Sequence, residues 1–102
     1  MTDTKKRLIS MSEFIENELM ENIENGTLYD YIGECLEIEF ITDARREYIG
    51  SRILVTLGGP NIWINTKKGH IEAFWGNENF YYHLDSYVIN ELDFILEEFF
   101  NI

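Results

Sequence analysis

The sequence predicts an α+β fold: an antiparallel meander sheet of four to five strands, with two N-terminal helices and one C-terminal helix. Three observations carry that expectation. Apolar residues recur with a helical period near both ends of the chain, they alternate with polar residues through its middle, and short turns rich in Gly and Asn separate the alternating runs. With 102 residues, the chain has material for about one core, since compact domains usually hold roughly 100–150 residues, and residues 1–102 are read as a single domain. Apolar residues make up 45% and aromatic residues 15% of the chain, more than a disordered segment carries in water.

Ser10-Met11-Ser12-Glu13 has the capping-box spacing and predicts the start of the first helix. Met11, Phe14, Ile15, Leu19 and Ile23 follow as its apolar stripe, and Asn25-Gly26 supplies a left-handed stop. Thr27-Leu28-Tyr29-Asp30 repeats the cap pattern and predicts a short second helix through Ile32 and Leu36, weakened by Gly33. From Leu36 the period changes to two, and Leu36, Ile38 and Phe40 alternate with Glu37 and Glu39. Asp43-Ala44-Arg45-Arg46 is the turn to a strand over Tyr48 to Leu57, which ends at Gly58-Gly59-Pro60-Asn61. Asn61 to Thr66, His70 to Trp75 and Phe80 to Leu84 are the remaining strands. Asp85 or Ser86 then caps a last helix with Val88, Ile89, Leu92, Ile95, Leu96 and Phe99 as its buried stripe.

Alternation assigns the sheet faces. Ile53, Val55, Leu57, Ile62, Ile64, Ile71, Ala73, Trp75, Phe80, Tyr82 and Leu84 fall on one side as core. Arg52, Leu54, Trp63, Glu72, Phe74, Tyr81 and His83 fall on the other, a surface that is either partly exposed or covered by a helix.

The net charge of −11 opposes a direct grip on a phosphate backbone and disfavours nucleic acid as a ligand. The charge is also unevenly distributed. Residues 1–11 carry +2, residues 12–43 carry −10 and no base, residues 44–70 carry +4, and residues 71–102 carry −7 and again no base. One cysteine, Cys35, forms no internal disulfide, and its apolar rhythm with Ile32 and Leu36 marks it as a packing residue. No apolar run approaches the roughly 20 residues of a membrane span. Lys5-Lys6-Arg7 precedes Leu8-Ile9-Ser10-Met11-Ser12-Glu13 rather than the apolar core of a signal peptide. These features place the expected protein in solution in a reducing cytoplasm, without membrane contact.

Catalytic and metal motifs are absent from the pattern. His70 and His83 lie on different strands, outside any paired metal-ligand spacing, and no serine-centred nucleophile elbow occurs. Gly58-Gly59-Pro60-Asn61 leads into a strand, not into the helix that follows a phosphate-binding loop. The expectation is a non-enzymatic protein with no catalytic residue, metal or cofactor. Its candidate partner-binding groups are carboxylates. Glu13, Glu16, Glu21 and Glu24 fall opposite the apolar stripe of the first helix. Glu91, Asp93, Glu97 and Glu98 lie on the last, and the final two occupy a turn where the helix dipole disfavours them. Rows of this kind present a field like that of a nucleic acid to a protein built to bind one. Trp63 and Phe74, with Tyr81, form the alternative, an aromatic patch for a partner or a homodimer.

Gly58 to Thr66, followed by Trp75-Gly76 and an acidic terminal helix, resembles a group of small acidic proteins carried by phages and mobile elements of Firmicutes, some of them type II anti-CRISPR proteins. The likeness spans about residues 26–100. It implies a stoichiometric inhibitor, acting in the bacterial cytoplasm, that binds Cas9 or its guide-RNA complex and hinders guide RNA or target DNA from occupying the positively charged channel. The alternative is a small structural or regulatory interaction module of a mobile element. No catalytic residue is implied by the likeness.

Overall fold

The computed structural model describes residues Met1–Ile102. The elements are α1 (Asp3–Asn25), α2 (Leu28–Gly33), β1 (Glu37–Thr42), β2 (Tyr48–Thr56), β3 (Asn61–Asn65), β4 (His70–Trp75), β5 (Glu78–His83) and α3 (Ser86–Phe100). The strands form one antiparallel sheet in chain order, the predicted meander with all five strands present. No helix is long and apolar enough to cross a membrane.

All helical packing is on one face of the sheet. α1 lies over β4 and β5, and α3 lies over β2. Leu8, Ile15 and Leu19 of α1, Leu28 and Ile32 of α2, and Val88, Leu92 and Leu96 of α3 meet Ile53, Ile62, Ile64, Ile71 and Ala73 of the sheet in a single apolar cluster. Truncating one of these fully buried side chains to Ala removes about 2–5 kcal/mol in typical cores.

α1 begins at Asp3, about two turns before the predicted capping box. Thr2 is the cap, its Oγ1 accepting a hydrogen bond from Lys5 N at 3.1 Å. Ser12, expected outside the helix, is buried within it, and its hydroxyl donates to the Leu8 carbonyl one turn back at 2.8 Å. That bond satisfies the hydroxyl without breaking the helix. Leu8, Ser12, Ile15 and Leu19 therefore form one continuous buried stripe, and burial of Leu8 outweighs Lys5, Lys6 and Arg7, which are unfavourable at the positive end of a helix dipole. Phe14, expected in that stripe, is 63% exposed, because it lies about 100° round the helix from Ile15 and borders the open hollow beside Val55 and Thr56 instead of the core. Gly26 ends α1 with φ 72° as predicted. Thr27 does not cap α2; its hydroxyl donates to Asn22 Oδ1 at 2.7 Å. α2 stops before Leu36, which is exposed. Asp85 caps α3, accepting from Tyr87 N at 2.9 Å.

Leu57, predicted as core, is 68% exposed. The β2–β3 register shifts between Leu54 and Thr56, and β2 ends there, so a period-two extrapolation to Leu57 runs past the element that supports it. Leu54 is buried, but on the sheet face that no helix covers and outside the main cluster.

Gly50 is a position where only glycine fits. A Cβ there would stand 2.6 Å from Lys67 Cβ and 3.0 Å from Lys67 Cα, and backbone cannot yield as a side-chain tip does. Gly50→Ala is expected to lower unfolding free energy by about 1–3 kcal/mol, the usual range for overpacking. Urea unfolding of the variant beside the parent measures this; equal midpoints would show that the Lys67 turn moves without cost.

Candidate functional site

Folding sorts the charged residues by layer. After Arg7 the helices carry no base at all: Glu13, Glu16, Glu18, Glu21, Glu24, Asp30, Glu91, Asp93, Glu97 and Glu98 are their charges. Arg45 and Arg46 lie in the β1–β2 turn, Arg52 on β2, and Lys67 and Lys68 in the β3–β4 turn. Every ion pair is on the sheet, linking Arg52 to Glu39 and Glu72, and His70 is hydrogen-bonded to the same Glu72. None of the helical carboxylates has a cationic partner.

The predicted acidic residues do not all occupy equivalent places. Glu13, Glu21, Glu24, Glu97 and Glu98 are exposed. Glu13 and Glu24 are separated by about 16 Å along the axis of α1 at 1.5 Å per residue. Glu16 is half-buried at the seam with β5, where its Oε1 accepts from the Tyr82 hydroxyl at 2.8 Å. That bond and burial raise the proton affinity of Tyr82. Glu91 is half-buried beside Phe94 and Ile95 in a groove between α1 and α3.

Asp93 does not belong to the presented surface. Its Oδ1 accepts from the Tyr48 hydroxyl and from Thr66 Oγ1. Because the Tyr48 proton is committed there, the Ser51 hydroxyl donates to Tyr48 in turn at 2.8 Å. Burial, then the bond to Asp93, push the Tyr48 phenol well above its usual range. Asp93 thus ties α3 to β2 and to the turn after β3. Asp93 lies about 100° round the helix from the buried Leu92, at the margin of the core stripe, and its carboxylate reaches the sheet through these bonds.

Trp63 and Phe74 lie on the opposite side of the molecule, on the uncovered face of the sheet. There Glu72 is only 7% exposed. Its Oε1 accepts from Arg52 Nε at 2.7 Å, and its Oε2 bonds to Asn65 Nδ2 at 3.1 Å and His70 Nε2 at 3.0 Å. The Arg52 guanidinium lies 4.0 Å from the centroid of the Trp63 ring. Tyr81 stands beside His70 and makes an edge contact with Phe74, with centroids 6.1 Å apart. Burial by itself raises the Glu72 pKa, but the hydrogen bonds from His70, Arg52 and Asn65, with the charge of Arg52, more than reverse that and hold it below its ordinary value. Sequence reasoning placed Arg52, Trp63, Glu72 and Tyr81 on this face but did not foresee the cluster. The signal was one acid inside the strand Ile71-Glu72-Ala73 and one base inside Ser51-Arg52-Ile53; the strand registers that align them are not written in either segment.

Chemically, the cluster can hold and orient cations and hydrogen-bond donors around one carboxylate. The His70 ring bonds to Glu72 and reaches no hydroxyl or thiol. Burial, with the charge of Glu34, pushes the Cys35 thiol up to about 11, so it is protonated at neutral pH and donates to the Tyr31 carbonyl. No three His, Cys, Asp or Glu side chains converge as a metal site requires. The largest cleft, about 580 Å³, mixes Lys67, Lys68 and His83 with Glu16 and Asp85 and presents no single sign of charge.

No family model matches the chain, and no curated protein or solved structure matches it either.

The lowered Glu72 pKa sets the sign of a pH effect. A carboxyl whose folded pKa lies below its ordinary 4.5 contributes stability that is fully present above that value and is lost as pH falls through the folded pKa. Glu72→Gln turns an amide N–H2 towards groups that are themselves donors, and is expected to cost about 1–3 kcal/mol at pH 7. The gap between parent and variant should narrow steadily below pH 4.5, as read by chemical unfolding across pH. A gap that stays constant to pH 3 would contradict the assigned bonding.

Proposed function

We propose that the protein is a non-enzymatic inhibitor that binds a nucleic-acid-handling protein through its acidic helical layer. The proposed partner is Cas9 or the Cas9–guide RNA complex, and the effect is hindrance of guide RNA or target DNA entering the basic channel. The observation that carries this reading is the separation of charge by layer. The helices beyond the first turns of α1 are negative throughout and make no ion pair, while all ion pairing is on the sheet. A field of one sign over one face steers and orients a cationic partner. The same field opposes compaction, since like charges on one layer repel, and the fold gains nothing from Glu97 and Glu98 at the negative end of α3. The resemblance of Gly58 to Thr66 and Trp75-Gly76 to anti-CRISPR and related mobile-element proteins supplies the identity of the partner in this proposal.

The uncovered sheet face supports a second reading, a regulatory interaction module in which Trp63, Phe74 and Tyr81 meet a partner or a second copy. The specific observation is Tyr81, 52% exposed beside Phe74 on a face with no helix over it. If that face is an interface between copies, sedimentation at rising concentration will show a dimer that Phe74→Ala and Tyr81→Ala abolish; a monomer throughout rejects the homodimer.

The inhibitor reading is tested with Glu13→Gln, Glu21→Gln and Glu24→Gln combined, three exposed positions outside the core. Cas9 affinity is expected to fall by about tenfold or more, and its salt dependence to become shallower, because charge-driven association weakens as the screening length drops from about 10 Å at 0.1 M to about 3 Å at 1 M. Titration of DNA cleavage and of direct binding at two salt concentrations reads both effects. Unchanged affinity and salt slope in the triple variant would overturn the proposal.

A further inference from the structure

One feature of the helical layer is not explained by its charge. A groove of about 250 Å³ runs between the C-terminal part of α1, α2 and α3, and Ile23, Leu28, Tyr29, Phe94 and Ile95 line it. Phe94 is 69% exposed, and it also borders a second hollow of about 200 Å³ shared with Glu97, Glu98 and Asn101. It stands two residues from both Leu92 and Leu96, which are fully buried, so the helix turns its ring about 200° away from the core stripe. The fold has no use for an aromatic ring there. Tyr29, half-exposed on the other bank, is held flat by stacking on Phe99, with centroids 4.8 Å apart.

The one charged residue lining this groove is an acid, and so are the charged residues that neighbour its lining on α1, α2 and α3. Glu91 lines it, Glu97 and Glu98 border the adjoining hollow, Glu21 and Glu24 flank Ile23 along α1, and Asp30 follows Tyr29. From these positions the geometry points to a cationic amphipathic helix of a partner protein as the occupant of the groove, with an apolar side chain packed on Phe94 and Tyr29 and Lys or Arg on both flanks. This rests on the reading of the helical layer as a surface for a cationic protein, and names what that protein would present. A second copy of the chain would bring its own −11 against the same rim. Nucleic acid and anionic membranes would bring phosphates, which the rim repels. An extended peptide would find no strand edge to pair with, because the banks of the groove are helices. A helix satisfies its own backbone and offers anchors at i, i+3, i+4 and i+7.

The experiment uses the full chain and two synthetic Leu/Lys peptides of equal composition and about 18 residues, one with Leu at helical spacing and one with Leu alternating. The helical peptide is expected to bind about tenfold more tightly or better, as loss of one central aromatic anchor typically implies, with amide shifts in nuclear magnetic resonance confined to residues 20–31 and 90–101. Phe94→Ala, whose thermal unfolding should match the parent because the ring is exposed, is expected to erase that advantage and leave the weaker charge-driven binding common to both peptides. Equal affinity for the two peptides, an advantage that survives Phe94→Ala, or shifts centred on the sheet face would each overturn the proposal. The two readings fail separately. If the Glu13, Glu21 and Glu24 variant loses Cas9 while Phe94→Ala has no effect on either peptide preference or Cas9 binding, the groove is refuted and the acidic inhibitor stands. If peptide preference depends on Phe94 while no variant alters Cas9 binding, the groove stands and the Cas9 reading falls.

Discussion

Burial of a single sheet face constrains the rest of this molecule. Ile53, Ile62, Ile64, Ile71 and Ala73 point to one side of five strands, and Leu8, Ile15, Leu19, Val88, Leu92 and Leu96 close over them. None of the three helices lies over the other side. Two consequences follow from that limit. The helices need only one apolar stripe each, leaving their outer surfaces free of any packing requirement, and the second face of the sheet must be made compatible with water by its own side chains.

The Arg52–Glu72 cluster is the answer on the second face. Strand pairing sets Leu54 beside Trp63, Trp63 beside Glu72, and Glu72 beside Tyr81, so large side chains crowd a central carboxylate to near-complete burial. An isolated carboxylate would be costly there. Three donors from Arg52, Asn65 and His70 fill its acceptor positions, and the Trp63 ring takes the guanidinium face. A flat polar sheet surface is prone to register slips; a network that closes only when β2, β3 and β4 are aligned favours one register over the alternatives. The cluster is thus coupled to topology, whatever else binds on that face.

Much of the fold was legible because it depends on local periods and turn chemistry. The five strands, the left-handed Gly26, the Asp85 cap and the α3 stripe all follow from segments of fewer than about 15 residues. What was not legible depends on tertiary context. Ser10 to Glu13 has a cap's spacing, but Leu8 continues the buried stripe and its burial decides the helix start. Leu57 has the right parity but lies beyond a register shift and the end of its strand. Phe14 and Leu36 are apolar but lie outside the buried stripes, and both are exposed. For the candidate site, the base-free composition was plain, but the separation of Asp93 from Glu97 and Glu98 was not, since both turn on which side of α3 meets Tyr48 and Thr66. Glu72 read as one more acid because its partners come from three different strands.

Charge separation by layer has opposite effects on the free and the bound protein. In the free chain the helical carboxylates repel one another with no cation between them, so screening by salt relieves strain and favours the folded state. Against a basic partner the same carboxylates are the attractive element, and screening weakens association. A protein selected for stability alone would intersperse Lys and Arg among these glutamates, gaining a few tenths of a kcal/mol per helical pair, and it already does so on its sheet. Uniform sign on the helices beyond Arg7 therefore gives up stability that was available at no structural cost; in the complex proposed above, contact with a basic surface would offset that loss. In that proposed complex, exposed Phe94 would add the apolar contact that charge alone lacks: long-range attraction sets encounter and orientation, while close packing of a ring sets how long a complex lasts.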